Sequence, residues 1–364
     1  MYIKGMDVSS LLEEEACGAK YYDHGIEMDL FDILEKYGVN SVRIRLWNDP
    51  YDEKGNPYGA GTNDLEKTII LAKRAKAHGM SWLLDLHYSD FWADPGKQTV
   101  PKAWRDFSVE EMEQAVYEYT VAVLQRLTQE GVAPNLVQVG NELTNGLLWP
   151  TGKKPEYDNL ARYISAGIRG VKMVNPGIPI MIHLDNGGLN EMYVDWFEHY
   201  MERGEDFDII GFSYYPFWHG TLEQLEFNMR DMARRYGKRL VVAEVSMGFT
   251  MEDYRSREGK PLDELKGMAT KPELTENLDY PMTREGQADF MQDIMKRIAS
   301  VHGGEGFYYW EPAWIPVPGC GWASEEALAY TGEKGPGGNE WANQALFDYD
   351  GNALPALEVI RDFT

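Results

Sequence analysis

Residues 136–146, LVQVGNELTNG, begin as a run of strand-forming apolar residues and break off at Asn141-Glu142 before a polar, glycine-containing turn. Buried strands normally stop at Gly, Pro or Asp. This one stops with a carboxylate, placed where a strand tip would meet solvent. Counting the run as 135–141, seven more short β-rich runs recur at 2–8, 41–47, 81–88, 178–185, 207–215, 239–246 and 306–312. Longer segments of helical period separate them, for example 64–78 and 108–129. The first of these opens on Asn63-Asp64 with Glu66 just inside, a capping signal. Eight strands alternating with helices is the count of a (β/α)8 barrel. A doubly wound open sheet commonly carries a glycine-rich phosphate turn after an early strand, and the sequence has none. The reading is therefore an α/β fold. It is a single (β/α)8 TIM barrel over 1–364, with long βα loops forming a substrate cleft at its C-terminal face.

The totals agree with a large globular core: 364 residues, 43% hydrophobic and 26% charged. A net charge of −24 would repel phosphate backbones, so no nucleic-acid partner is expected. No apolar run reaches the roughly 18 residues of a membrane span, so no membrane partner is expected either. The opening MYIKGMDVSS lacks a basic segment followed by an apolar stretch. The chain then reads as cytoplasmic or as the mature form of an exported protein. A monomer is expected. Cys17 and Cys320 are too few for a disulfide framework or a structural zinc site. They fall in loops after the first and last strands, neighbours in a closed barrel, and two free thiols are expected.

In a barrel the C-terminal strand ends and the loops beyond them build the active site. That rule collects Arg45 and Trp47 from the second strand, Asp85, His87 and Tyr88 from the third, and Asn141 and Glu142 from the fourth. Asp185, Tyr215, Glu244 and the pair Trp310-Glu311 follow from the last four strands. Alone, Glu142 or Glu244 reads as a surface glutamate at a strand end. Together, on the fourth and seventh strands, they face each other across the mouth. Carboxylates about 5–5.5 Å apart suit retaining glycoside hydrolysis, one giving a proton while the other attacks the anomeric carbon. Asn141 is placed to reach a sugar 2-hydroxyl, and Tyr215 to hold Glu244 ionised. Arg45 is chosen over Arg43 as the ion-pair partner of Glu244. The expectation is that only one of the two points inward, and Arg45 lies nearer the strand end. Asp85 and His87 share a face, but no third ligand of suitable spacing accompanies them, so neither metal nor cofactor is expected.

The aromatics point to the substrate class. Of 11 tryptophans, only Trp82 and Trp196 fall outside strand ends and the loops beyond them. The others are Trp47, Trp92, Trp104, Trp149, Trp218, Trp310, Trp314, Trp322 and Trp341. Flat apolar rings along a cleft match the C–H faces of sugars.

The segments GMDVSS, VRIRLWNDP, DLHYSDFWADPGKQTVPKAW, VQVGNE, HLDNGG, YYPFWHG, VVAEVS and FYYWEPAWIP occur in this order between residue 5 and about 316. In them the chain resembles glycoside hydrolase family 53, the endo-β-1,4-galactanases. The resemblance implies a retaining enzyme that cuts β-1,4-galactan, the side chains of type I arabinogalactan in pectin, from within. It implies Glu142 as acid/base and Glu244 as nucleophile. It supports Arg45, His87, Asn141, Tyr215 and Trp310 at the site, with Asp185 and Trp92 on the sugar. Some bacterial members carry an Asp/Asn/His/Gly-rich calcium loop after the seventh strand. The corresponding stretch here, within 247–282, lacks that cluster. Glu252, Asp253 and Asp263 read as solvated charges, and no calcium site is expected. Rival readings are a retaining hydrolase of β-1,4-mannan or β-1,4-glucan, a carbohydrate-binding barrel without catalysis, and a metal-dependent lyase or aldolase. The last would need ligand clusters or a strand-end lysine that the sequence does not offer.

Overall fold

The computed structural model describes residues 2–364 apart from 258, 260, 262, 265–270 and 277. Eight strands, all parallel, close on themselves: β1 Ile3–Asp7, β2 Ser41–Leu46, β3 Ser81–Leu86, β4 Leu136–Val139, β5 Ile180–Leu184, β6 Ile209–Tyr214, β7 Arg239–Val245 and β8 Gly304–Tyr309. The ring closes where β1 pairs with both β2 and β8. Each expected strand lies within about three residues of an observed one at either end. Helices return the chain between strands, among them Leu65–Ala77 after β2 and Val109–Gln129 after β3. Asp64 caps the first through the Lys67 amide. Ser108 and Glu111 form a reciprocal capping box on the second. A small hairpin, Tyr21–Asp23 with Ile26–Met28, occupies the connection after β1.

The strands read as near-continuous apolar runs because both faces of a parallel barrel are covered. Outward residues such as Val42, Ile44, Leu84, Val137, Ile182 and Val242 pack in the main core with the helices. Inward residues Leu83, Leu136, Met181, Ile209, Val241 and Tyr308 form a separate apolar plug. Further along the strands the inward positions turn polar, with Asp7, Arg43, Asp85, Gln138, His183 and Ser213 all buried. The plug thus ends where the polar layer under the barrel mouth begins.

The stretch 247–282 after β7 falls partly outside the described residues. Within its described part lie two short turns, Tyr254–Arg257 and Pro272–Thr275, and Asp253 pairs with Arg255 at 2.6 Å. Cys17 and Cys320 are free thiols. Among the described residues no helix is long and apolar enough to cross a membrane.

Gly5 lets β1 lie against the plug. A Cβ there would stand 2.3 Å from Tyr308 Cδ1 and 2.7 Å from the Phe307 carbonyl oxygen. Gly5→Ala is expected to cost about 1–3 kcal/mol through overpacking. The check is a lower urea midpoint at unchanged slope; an unchanged midpoint would mean that the Tyr308 ring moves aside freely.

Candidate active site

Two departures from regular strand geometry present the two glutamates. Along β7, Val241 and Ala243 face the plug while Val242 faces the helices, so regular alternation would turn Glu244 outward. The register with β6 skips at this point: Phe212 pairs with Val242, but Ser213 pairs with Glu244. The register with β8 skips across the same residues. This bulge inserts one residue, turning Glu244 inward and returning Val245 to the outer face. Just after β4, Gly140 at φ +81° leads into Glu142 at φ +47°, ψ +59°. A Cβ on Gly140 would strike Leu143 Cδ2 at 2.7 Å. The left-handed conformation costs a non-glycine residue about 1–2 kcal/mol, held here by the surrounding fold.

Both side chains are buried to within a few per cent, Glu142 at 8% and Glu244 at 5% exposure, at the base of a cleft of about 540 Å³. An oxygen of each, together with a ring nitrogen of His183, lies within 4.8 Å. Glu244 Oε1 is ion-paired with Arg43 Nη2 at 2.9 Å, and its Oε2 accepts from the Tyr215 hydroxyl at 2.8 Å. Glu142 Oε1 lies 2.6 Å from Ser213 Oγ. Below them runs one connected polar layer. Arg43 also reaches Asp7 at 2.9 Å, Asp85 at 2.8 Å and Asn141 Oδ1 at 2.8 Å.

The environments of the two glutamates differ in electrostatic sense. Burial pushes both carboxyls upward. For Glu142 the neighbouring charges of Glu244 and Asp185 add to burial and raise it well above the usual range. For Glu244, Arg43 and the Tyr215 hydroxyl oppose burial while Asp85 and Asp7 add to it, and the carboxyl stays raised. Both carboxyls are thus raised, Glu142 the more strongly. Burial, with Glu244 beside it, keeps the Tyr215 phenol protonated and hence a donor.

The arginine assignment is corrected. Residues two apart on a strand share a face, so Arg43 and Arg45 both point inward, and both are buried. Arg43, the deeper of the two, pairs with Glu244. Arg45 pairs instead with Glu311 at 2.5 Å and Asp7 at 3.3 Å, with its guanidinium 4.5 Å from the Trp92 ring centre. Trp47 is corrected too. It is fully buried with no face left for a sugar, and its indole N–H donates to His87 Nδ1 at 3.1 Å. His87 lines the cleft, with Nε2 2.9 Å from Asp85. The remaining expected residues come together: Asn141, Asp185, Tyr215, Trp92 and Trp310 all line the cleft. Thr144 and Asn186 hold the Asp185 carboxylate. Trp218, Trp314, Trp322 and Trp341 extend the aromatic wall. Trp104 and Trp149 lie elsewhere in the loops.

The sequence reading passed over Gln138, His183, Ser213 and Asp7 as members of this layer. The signal was present, since His183 precedes Asp185 by two and Ser213 precedes Tyr215 by two, each pair on one strand face. Glu142, His183 and Glu244 are close enough to hold a metal, as are Asp32, Glu35 and His78 on the surface. In the first group the ring and both carboxylates already have protein partners.

A parallel barrel with two buried carboxylates in a tryptophan-walled cleft is built as a barrel glycosidase. Residues 3–360 match the family model of glycosyl hydrolase family 53, and the chain belongs to that family. It is 41% identical to an endo-beta-1,4-galactanase of Bacillus subtilis, over 99% of this chain and 85% of that protein. It is 38% identical to a probable arabinogalactan endo-beta-1,4-galactanase A of Neosartorya fischeri, over 86% and 84%. Among solved structures, the Ignisphaera aggregans GH53 catalytic domain superposes with TM-score 0.90 at 40% identity, covering 99% of this chain and 95% of that one. A fungal β-1,4-galactanase gives TM-score 0.79 at 33% identity, covering 99% and 98%.

Two measurements check the electrostatics. Arg43→Met leaves buried Asp85 and Glu244 without their guanidinium, and Asp7 with Arg45 alone, and is expected to destabilise by about 3–5 kcal/mol in urea unfolding; a loss under 1 kcal/mol would contradict the arrangement. Burial, opposed by Arg45, pushes Glu311 up from 4.5 to about 7. A carboxyl raised on folding favours the fold most below its unfolded value, and that contribution is lost as pH rises through the folded one. Glu311→Gln is therefore expected to flatten the fall in stability between about pH 4.5 and 7. A fall as steep as in the unaltered protein would contradict the assignment.

Proposed function

We propose that this protein is a retaining endo-β-1,4-galactanase acting on galactan and type I arabinogalactan. The observation that carries the mechanism is the close pair Glu142 and Glu244, of which, among the described residues, only Glu244 has a cation, Arg43, in contact, while the charges beside Glu142 raise its carboxyl further. Glu244, between Arg43 and Tyr215, attacks the anomeric carbon as nucleophile. Glu142 gives its proton to the glycosidic oxygen, so the leaving sugar departs as a neutral alcohol. A water then enters, Glu142 takes one of its protons, and the hydroxyl attacks the glycosyl-enzyme ester, releasing Glu244. Retention follows from two inversions at one carbon.

The remaining groups bind the chain. Asn141 spends one amide hydrogen on the Ala93 carbonyl at 2.9 Å, which leaves the other for a sugar 2-hydroxyl. Trp92 and Trp310 offer ring faces, while His87, Asp185 and Arg45 offer polar contacts at the cleft wall. The galactan preference rests on the names of the relatives at 38–41% identity. A retaining hydrolase of β-1,4-mannan or glucan would use the same carboxylates. A barrel that only binds sugar would have no use for two buried acids, whose desolvation is costly.

Reducing-end release from β-1,4-galactan, mannan and cellulose separates these readings. Galactan alone is expected to be cut, and Glu244→Ala is expected to lose at least 10³-fold in kcat, with the fold unchanged by circular dichroism. Preferential cutting of mannan or cellulose would replace the substrate while keeping the mechanism. Full galactan activity in Glu244→Ala would remove the nucleophile.

A further inference from the structure

The polar layer contains a chain of contacts whose direction can be worked out from its fixed end. Arg43 Nη2 can only donate, and it lies 2.8 Å from Asn141 Oδ1, while Asn141 Nδ2 donates to Ala93. The Asn141 amide therefore cannot be turned over, and its oxygen is an obligatory acceptor. His183 Nδ1 sits 2.9 Å from that oxygen, so Nδ1 carries a hydrogen. Burial, with Arg43 nearby, pushes the His183 pKa well below 6.5, and the ring is neutral. Its Nε2 is then a bare lone pair, 2.8 Å from Ser213 Oγ.

Ser213 has one hydrogen, and Nε2 claims it. The hydroxyl thus turns a lone pair toward Glu142 Oε1, 2.6 Å away. A carboxylate in that position would meet lone pair with lone pair, whereas a carboxylic acid completes the bond as donor. The competing direction would have Gln138 Nε2 donate to His183 Nδ1 across 3.1 Å. The two amide hydrogens of Gln138 already have closer acceptors in Asp85 Oδ1 at 2.7 Å and the Gly140 carbonyl at 3.0 Å. Nor would that direction relieve the contact between Nδ1 and the Asn141 oxygen.

We propose that His183 and Ser213 are positioning residues that carry a one-way hydrogen-bond direction from Arg43 to Glu142, fixing the Glu142 carboxyl as a donor. This rests on the reading of Glu142 as acid/base. One cation then assigns both roles. Arg43 keeps Glu244 charged by direct contact and, through Asn141, His183 and Ser213, keeps a proton on Glu142 in the free enzyme. The same direction makes ionised Glu142 a stronger base for the second step.

The test turns on a sign. The acidic groups facing Glu142 are Glu244 on β7, Asp185 after β5 and Asp94 after β3; the charged and titratable groups facing His183 are Arg43, Asp85, His87 and His219. Ser213→Ala leaves all of them in place. The alkaline limb of kcat/KM reports the general acid of the free enzyme. If Ser213 presents a lone pair, removing it relieves the ionised form, and the limb moves down by roughly half to one pH unit. If Ser213 instead donates to a carboxylate, the limb moves up. An upward move or none overturns the proposal. A second readout needs no activity: 15N spectra of histidine-labelled protein should show His183 neutral with hydrogen on Nδ1, and hydrogen on Nε2 would overturn it. Glu142→Gln separates the two levels. If that variant cuts galactan as well as the unaltered enzyme, the acid/base reading falls; if it is crippled while the limb in Ser213→Ala moves the wrong way, only the relay falls.

Discussion

The site is organised by the Arg43 guanidinium, buried beside Asp7, Asp85 and Glu244. Three carboxylates inside a barrel would be prohibitively costly without a cation, and a guanidinium cannot neutralise itself by losing a proton. Its planar fork also matches several oxygens at once, which an ammonium would not. Asp85 illustrates the effect: burial alone would raise its carboxyl, yet Arg43 and His87 outweigh this and hold it below its ordinary range. The polar layer is thus possible because β2 places an arginine one step above the apolar plug.

Backbone geometry then determines what that charge acts on. A single extra residue in β7 moves Glu244 from the helix-facing side to the Arg43 side. A left-handed Glu142 behind Gly140 sets the second carboxyl over Ser213, out of direct reach of the guanidinium. Tyr88 after β3 and Asn186 after β5, on either side of Glu142, also have positive φ, as does Glu311 after β8. Such strain collects where the barrel mouth needs side chains aimed inward at the ends of strands that run upward.

Much of this was legible in sequence, for identifiable reasons. The eight strands show as apolar runs because both barrel faces are buried, and the carboxylates show because an acid closing such a run has no structural purpose there. The helix capped by Asp64 was readable from its capping residues. The arginine choice failed on a point of geometry: side chains at i and i+2 share a face, so nearness to the strand end did not decide between Arg43 and Arg45. His183 and Ser213 sit inside otherwise apolar runs, where they stand out only through their spacing of two from Asp185 and Tyr215. Trp47 misled because a tryptophan at a strand end can serve the wall from behind, here by orienting His87. The β7 bulge has no sequence mark at all, since Ala243-Glu244 would continue a regular strand equally well.

The central claim is that two carboxyls held in opposite protonation states carry out a double displacement. The most direct measurement is proton NMR of galactan during its first minutes of cleavage, before the released reducing ends equilibrate. Signal appearing first from the β-anomer is expected, because two inversions restore the starting configuration. The α-anomer appearing first would mean a single displacement by water, and would contradict the role given to Glu244.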